Sequence, residues 1–368
     1  MTTFTLTTGA DTIVGTPADD TVEGTAATLN ATDSLDGGGG YNTLALFGSG
    51  TFDLSSLAQF VNFQEVDVTN ITGGQSNLTL GNGIGLTVNV DNESGSGGTI
   101  NLADSAVTLN LGSSANYTVY ASTGAAAIST STYDGRFFLS SGDATVTVNG
   151  YANYIWVSSG KATVDLSNSF AYNYIFIQDV GSINYNDDFI GGNTNYLYVD
   201  GSGHELDLTK LSLINNNWYL YIGYEYSSSN VTVDVDSSSL SHFSAISGNN
   251  NEKLQTAAAT LDLTHTSVTG SIAITSTNAT GTTFTVADLT TAEHVIGSPG
   301  NDTLVAQSFT FTAGQRAAIF AQGSVETIVD SSGAYGPDGS FKAPPAHSRR
   351  LRTTLDRRRA TRSPRTIR

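Results

Sequence analysis

An Asp-Thr pair followed by an aliphatic residue recurs at both ends of this chain. It occurs at Asp11, Asp20 and Asp302, and the run from Gly37 to Ala45 fits a Gly-Gly-x-Gly-x-Asp nonapeptide in which Asn42 takes the place of the Asp. Glycine allows a tight turn that points backbone carbonyls inward, and a carboxylate is the hard oxygen ligand that Ca²⁺ prefers. The motif therefore predicts Ca²⁺ as a cofactor, with candidate ligands Asp11, Asp19, Asp20, Asp33, Asp36, Asn42 and Asp302.

The glycine-rich run and its acidic residues resemble the repeats of the RTX, or hemolysin-type calcium-binding, proteins. The resemblance covers residues 9–45 and 297–305, and it implies a parallel β-roll that holds Ca²⁺ between successive turns. It also implies export by type I secretion without an N-terminal signal. The segment from Gly15 to Asp20 keeps only the first glycine, and Asn42 is neutral. The alternative is that Gly and Asp supply only the geometry of the turns.

A second pattern is an aromatic repeat in the middle of the chain. The sequence Asn-Tyr-Ile-Trp-Val at 153–157 returns in related form, and the first Tyr recurs after 20, 22 and 23 residues. Side chains of a strand alternate between its two faces, so the aliphatic residues are expected inside and the aromatic ones outside. The predicted outer face consists of Tyr154, Trp156, Tyr174, Phe176, Tyr196, Tyr198, Tyr219 and Tyr221.

This aromatic face has two interpretations. Aromatic rings on a flat surface bind a glycan by stacking, or pack against a cell-surface protein or another copy of the chain. The other interpretation, which the sequence favours slightly, is that the rings stack from coil to coil and stabilise their own sheet.

Repeats of about 21 residues with two or more short strands each must stack on one another to bury a core. We therefore expect an all-β fold, a right-handed parallel β-helix or β-solenoid with β-roll-like N-terminal coils. An antiparallel sandwich is the rival. A capping box at Thr312 and Gln315 predicts one short helix near 313–321. The expected organisation is calcium-binding coils at 1–50, a solenoid body at 51–310, a cap of helix and strand at 311–335, and a disordered basic tail at 340–368.

The charges are segregated along the chain. Only five of the 15 Lys and Arg residues precede residue 342, against 32 of the 33 Asp and Glu residues, so residues 1–341 carry a net charge of −27. Such a body repels nucleic acid, so we expect no nucleic-acid partner. The tail is either a polyanion-binding arm or, as we favour, a segment with no role.

Export from the cell is expected on several grounds. There is no cysteine, so no disulfide or thiolate site forms. The residues after Met1 lack the basic and apolar parts of a secretory signal. No apolar run is long enough for a membrane span. With the resemblance, these features favour an extracellular or cell-surface location.

Catalysis has little support in the sequence. The five histidines show no ligand spacing and basic residues are scarce, although carboxylate pairs such as Asp187–Asp188 and Asp234–Asp236 suit glycoside hydrolysis. We expect no enzyme. The leading interpretation is a secreted, non-enzymatic, calcium-binding β-solenoid that acts as a structural or adhesive cell-surface module. The alternatives are a β-helix enzyme acting on extracellular polysaccharide and a self-assembling surface-layer component.

Overall fold

The chain folds as a parallel β-solenoid, as the repeat predicted. The computed structural model describes residues 1–83, 85–92, 96–112, 116–170, 172–178, 180–201, 205–215, 217–223 and 230–342. These residues form about 14 turns. Adjacent coils pair in parallel, which rules out the antiparallel sandwich. The part of the predicted tail beyond Lys342 lies outside the described residues.

The strands are short and are numbered in chain order. The first sixteen are β1 (Thr2–Thr5), β2 (Thr12–Val14), β3 (Asp20–Thr25), β4 (Ser34–Asp36), β5 (Thr43–Phe47), β6 (Gly50–Asp53), β7 (Gln59–Val61), β8 (Glu65–Thr69), β9 (Ser76–Thr79), β10 (Leu86–Asp91), β11 (Gly98–Asn101), β12 (Val107–Leu111), β13 (Tyr117–Tyr120), β14 (Ala126–Thr130), β15 (Arg136–Phe138) and β16 (Ala144–Val148). The others are β17 (Tyr154–Val157), β18 (Ala162–Asp165), β19 (Tyr172–Ile177), β20 (Asp188–Ile190), β21 (Thr194–Val199), β22 (Glu205–Asp207), β23 (Ser212–Ile214), β24 (Trp218–Ile222), β25 (Thr232–Asp234), β26 (Phe243–Thr256), β27 (Thr260–Leu263), β28 (Ser267–Ser276), β29 (Thr283–Val286), β30 (Val295–Ala306), β31 (Ser324–Asp330), β32 (Gly333–Tyr335) and β33 (Phe341–Lys342).

Contacts divide the chain into two units, and the first consists of Met1–Gln255 and His265–Ala273. In the described part of this unit, eleven strands form one parallel sheet in the order β1, β3, β5, β8, β10, β12, β14, β16, β18, β20 and β23. A second parallel sheet runs through β6, β9, β11, β13, β15, β17, β19, β21, β24 and the first half of β26. Strands β2, β4 and β7 form a short third sheet.

The core of this unit is a stack of aliphatic and aromatic side chains between the sheets. Residues of successive coils that are paired in register form columns, and in the second sheet every member of the central column is buried. That column contains Phe52, Leu78, Ile100, Val119, Phe137, Ile155, Ile175, Leu197, Leu220 and Ile246. The period-two alternation seen in the sequence therefore correctly separates inside from outside along these strands.

The second unit consists of Thr256–Thr264 and the chain from Ile274 onward. Here β27 pairs in parallel with β29, β29 with the end of β30, and β30 with β31. The pattern then changes, because β31, β32 and β33 are antiparallel. Strand β33 includes Phe341 and Lys342, which the sequence analysis assigned to the tail. The predicted domain boundaries at residues 50 and 310 stay predictions.

Three α-helices occur in the described residues, and one was predicted. They are α1 (Ser237–Leu240), α2 (Leu289–Glu293) and α3 (Ala313–Gln322). The capping box of α3 forms as expected between Thr312 and Gln315. The sequence analysis missed α1 and α2, whose N-caps are Asp236 and Asp288. No helix in the described ranges has the length and apolar character needed to cross a membrane.

Candidate functional site

The acidic residues of the Asp-Thr motif lie where the turns meet the strands, and two of them, Asp20 and Asp302, bind the backbone of the preceding coil. The Thr2 N–H donates to Asp20 Oδ1 at 2.8 Å, and the Asp20 N–H donates to Asn42 Oδ1 at 2.9 Å. The Asn42 N–H donates in turn to Gln64 Oε1 at 2.7 Å. Each polar side chain thus accepts an N–H at the start of a strand, or directly before it, one coil earlier.

The same contact recurs at the other motif positions. Asp302 is buried and accepts the Thr282 N–H at 2.6 Å, while the Asp302 N–H donates to Glu326 Oε2 at 2.7 Å. Asp33 is also buried and accepts the Asp11 N–H at 2.9 Å. Since an unpaired N–H inside a protein is costly, these carboxylates have a structural task at both ends of the chain.

The remaining candidate ligands are held by hydrogen bonds from their own turn or from the next coil. Asp19 Oδ1 accepts the Tyr41 N–H at 2.8 Å, and Asp11 Oδ2 accepts the Thr7 N–H at 2.7 Å. Hydrogen bonds from the Asn62 side chain and the Gly38 N–H lower the pKa of Asp36.

Among the buried carboxylates, Asp20 shows how the backbone stabilises the charge. Burial raises the pKa of Asp20, but hydrogen bonds from Thr16 and Thr2 outweigh burial, so the pKa lies below its usual value. The turns therefore stabilise an ionised carboxylate with N–H donors.

The glycines of the nonapeptide are required by the close approach of neighbouring turns. A Cβ on Gly15 would lie 2.0 Å from Gly37 O, and a Cβ on Gly37 would lie 2.4 Å from Asn62 O. Gly40 adopts φ +82°, which disfavours any residue with a side chain. The glycine spacing is thus explained by backbone packing between coils.

All seven candidate ligands form hydrogen bonds in these turns. Within the described ranges, no group of three or more acidic or histidine side chains is placed to hold a metal. The structure brings Asp20 and Asn42 together in one column and Asp11 and Asp33 in another, while Asp302 lies in the second unit. Calcium binding at these residues stays a prediction.

The aromatic face forms two columns of stacked rings on the outside of the second sheet. Both columns lie on the same outer surface. The one we call the inner column contains Tyr154, Tyr174, Tyr196 and Tyr219, with centroids of successive rings 4.7, 5.1 and 5.3 Å apart. The outer column includes Trp156, Phe176, Tyr198 and Tyr221, with centroids 4.7, 5.0 and 5.0 Å apart. All eight predicted residues therefore lie together.

The structure extends the face beyond the predicted residues. Tyr120 and Phe138 continue the outer column, with centroids 5.0 Å apart and Phe138 4.3 Å from Trp156. Tyr133 and Tyr151 form an edge-to-face pair at 4.1 Å beside the columns. These residues were missed because their strands lack the full Asn-Tyr-Ile-Trp pattern, although their 18-residue spacing was a usable signal.

Stacking determines which part of each ring is accessible. In the outer column the planes of adjacent rings differ by at most 18°. Each internal ring is therefore covered on both faces. Phe176, which the sequence placed on the outer face, is buried by its neighbours, whereas Trp156, Tyr198 and Tyr221 stay partly exposed. The covered faces leave the edges of the internal rings as the contact surface, and glycan binding stays a prediction. The tyrosine hydroxyls, at the ring edges, form a row with the spacing of the coils.

The columns have defined ends. At one end, the residue paired in register with Tyr120 in the preceding coil is Asn101, and the residue paired with Tyr154 is Arg136. At the other end Ala245 follows Tyr219 and Ser247 follows Tyr221. The aromatic face is thus a strip that follows the axis of the stacked coils and is bounded by small or polar residues.

Buried asparagines position the strands that carry the inner column. Asn153 Oδ1 accepts the Gly135 N–H at 3.0 Å, and Asn173 Oδ1 accepts the Asn153 N–H at 3.3 Å. The next positions in register are Asn195 and Trp218. Trp218 is fully buried, so Trp156 is the tryptophan that belongs to the surface.

Burial and neighbouring rings affect the phenols at the centre of the inner column. Burial raises the pKa of Tyr174 and Tyr196, and adjacent tyrosines raise it further. Since a free tyrosine already has a pKa near 10, these hydroxyls are neutral donors at physiological pH. They can donate and accept hydrogen bonds along the strip.

The two predicted carboxylate pairs differ in their surroundings, and both carboxylates of the second pair are half-exposed. Asp187 is buried in the coil, whereas Asp188 lies outside and forms an ion pair with Lys161 at 3.3 Å. Asp236 caps α1 by accepting the Ser239 N–H at 2.7 Å. Burial and a hydrogen bond with Glu205 raise the pKa of Asp234 to about 6.

No protein-family model, curated protein or solved structure matches this chain significantly.

Proposed function

We propose that the chain is a non-enzymatic β-solenoid that serves as a structural or adhesive module outside the cell. Its contact surface is the aromatic face, and its partner is a neutral polysaccharide chain. The observation that carries the proposal is a continuous strip of stacked aromatic rings left on the surface over several coils. Exposed aromatic strips of this extent are typical of interaction sites.

The geometry of the strip suggests the pose of the partner. Successive tyrosine rings in the inner column are 4.7 to 5.3 Å apart. A glycan lying along the coil axis would place one sugar ring near each hydroxyl, because an extended glycan advances by a similar distance per sugar. Hydroxyl edges would hydrogen-bond along the chain, and aliphatic sugar faces would pack on the ring edges.

Charge favours a neutral partner. Residues 1–341 carry 32 acidic and five basic residues, so a uronate or sulfate polymer would be repelled. Arg136 is the basic residue that adjoins the start of the inner column. The proposal is therefore specific to uncharged polymers such as cellulose or chitin.

Binding to these polymers can be tested by co-sedimentation with the full chain. We expect the wild type to sediment with at least one neutral polysaccharide and not with a polyuronate. The double variant Tyr174→Phe/Tyr196→Phe keeps the stacked rings but loses two central hydroxyls, so its affinity should fall. Tyr41→Phe is the matched control, because Tyr41 is exposed and lies outside the aromatic face.

Tryptophan fluorescence gives an independent readout. Trp156 stacks between Phe138 and Phe176, whereas Trp218 is buried. Soluble oligosaccharides should change the emission of the wild type, and Trp156→Phe should abolish the change. Equal binding by wild type and the double variant would contradict the proposed surface. Concentration-dependent scattering without glycan binding would instead indicate self-association.

Calcium binding is an independent part of the proposal. Only the sequence resemblance to hemolysin-type calcium-binding repeats supports it. The oxygens of Asp20, Asp33 and Asp302 already accept backbone N–H groups, so this donor arrangement does not fit a calcium site as it stands. Export by type I secretion has the same support. We derive no step of the proposed binding from a metal ion.

A further inference from the structure

The inner column places four phenols in direct sequence along the surface. Tyr154, Tyr174, Tyr196 and Tyr219 are paired in register between neighbouring coils. Their centroids are 4.7, 5.1 and 5.3 Å apart, and each side chain is partly exposed. Oxidisable groups with accessible edges are therefore fixed next to one another by the backbone.

The rest of the chain offers little competition for an oxidant. Cysteine and methionine are the usual first targets of protein oxidation, and this chain has no cysteine and one methionine, Met1. The phenols and Trp156 are then the most readily oxidised groups on the surface. Contact between rings also lets a radical formed at one tyrosine pass to its neighbour.

We propose that the inner column is a site of oxidative tyrosine cross-linking, in which hydrogen peroxide and a peroxidase join phenols of adjacent coils as dityrosine. Each of two tyrosines loses one hydrogen atom from its hydroxyl. The two radicals form one carbon–carbon bond between ring carbons ortho to the hydroxyls, and both rings regain aromaticity. The two electrons and two protons reduce one peroxide molecule to two waters.

Other tyrosine pairs contact each other around Tyr174 and Tyr196, at 5.9 to 6.5 Å. Two pairs that include neither residue fit the same chemistry and serve as internal references. Tyr198 and Tyr221 are stacked at 5.0 Å in the outer column. Tyr133 and Tyr151 are in edge contact at 4.1 Å, and both are exposed. By contrast, Tyr120 stacks on Phe138 and Tyr335 contacts Phe341, so the ring next to each is not a phenol.

The cross-link would join coils that contact each other only through non-covalent bonds. Residues 174 and 196, for example, are 22 positions apart and belong to successive coils. Closing such a loop covalently stabilises the folded state in the way that a disulfide does. The reaction does not depend on glycan binding, so either proposal can fail without the other.

The test is to treat the dilute full chain with peroxidase and hydrogen peroxide and to map cross-linked peptides by mass spectrometry. In the monomer fraction we expect dityrosine fluorescence and peptides joining 154 to 174, 174 to 196 and 196 to 219, each lighter by two hydrogens. The oxidised monomer should also unfold at a higher temperature than the untreated one.

Variants locate the site. Tyr174→Phe/Tyr196→Phe leaves no adjacent phenols in the inner column but preserves the stacked rings, so unchanged circular dichroism should accompany loss of these peptides. The links 198–221 and 133–151 should persist, and Tyr41→Phe should behave as wild type. The proposal is overturned if the double variant forms as much intramolecular dityrosine as the wild type, or if every link joins separate molecules.

Discussion

At the scale of single residues, the structure assigns the conspicuous Asp and Asn side chains to the stacking of coils. Asp20, Asn42 and Asp302 each accept an N–H at the start of a strand, or directly before it, one coil earlier. Such a side chain replaces the hydrogen bond that a turn interrupts in the parallel ladder. A residue type that suits Ca²⁺ also suits this task, because both uses need an oxygen aimed inward.

Removing one of these caps should be costly. Asn42 is buried, accepts the Asp20 N–H, and donates to the carbonyls of Gly39 and Asn62. Asn42→Ala leaves these groups unpaired and should lower the free energy of unfolding by about 1–3 kcal/mol.

Urea denaturation measures this change. Asn110→Ala is the control, because Asn110 is exposed on the first sheet and makes one side-chain bond, to Asn89. It should change stability by at most about 0.5 kcal/mol. Equal effects of the two substitutions would contradict the capping role.

The buried carboxyl group of Asp187 should make the stability of the fold depend on pH. Asp187 is buried, and its Oδ2 has no hydrogen-bond partner in the described residues. Burial and the neighbouring Asp188 raise the pKa of Asp187 to about 6, although the Ala162 N–H and Lys161 act in the opposite direction. The folded state therefore binds a proton more tightly than the unfolded state, whose carboxyl has its ordinary pKa near 4. The protonated Asp187 carboxyl therefore contributes most to the free energy of unfolding below pH 4. This contribution is lost as the pH rises through about 6.

Asp187→Asn should therefore stabilise the protein at pH 7, since Asn still accepts the Ala162 N–H at the position of Oδ1. The advantage over the wild type should shrink as the pH falls from 7 towards 4. Comparing unfolding midpoints of the two proteins at each pH isolates this group from Asp234, whose pKa is also raised to about 6. A difference that does not vary with pH would contradict the assignment.

At the scale of elements, the strands are held in register by contacts that repeat from coil to coil. The aromatic columns are one example, and each stacked pair contributes about 0.5–1.5 kcal/mol beyond its buried area. A column of glycines is another. Gly124, Gly142 and Gly160 stack so closely that a Cβ on Gly142 would lie 2.3 Å from Gly124 O.

This column gives a prediction for the turns. Gly142→Ala forces the turns of adjacent coils apart and should destabilise the first unit by several kcal/mol, in the range of severe point mutations. Gly81→Ala is the matched control, because its Cβ would meet Leu54 O at an ordinary 3.4 Å. Thermal unfolding of both variants tests the idea, and a neutral Gly142→Ala would argue against close stacking of the turns.

At the scale of the whole molecule, the dominant feature is negative charge. Residues 1–341 contain 32 acidic and five basic residues, so the folded body repels itself at low ionic strength. This charge disfavours polyanions as partners of the aromatic face and lets cations stabilise the fold by screening.

Salt should therefore raise the unfolding midpoint, and the choice of cation separates screening from a site. Sodium and magnesium chlorides at matched ionic strength should stabilise through screening. Calcium chloride should raise the midpoint further if the predicted site exists, because a ligand that binds only the folded state adds its own linkage term. Identical midpoints in Ca²⁺ and Mg²⁺ would remove calcium from the proposed function.

The all-β solenoid, the alternation of its strands and the eight stacked aromatic residues can be predicted from the amino-acid sequence alone. These follow from alternation within a strand and from the spacing of repeats, which are local properties. The sequence could not show what Asp20 and Asn42 bind, that Tyr120 and Phe138 extend the outer column, or that stacking buries Phe176. Each of these depends on the register between coils, which is fixed by the packing of many residues far apart in the chain.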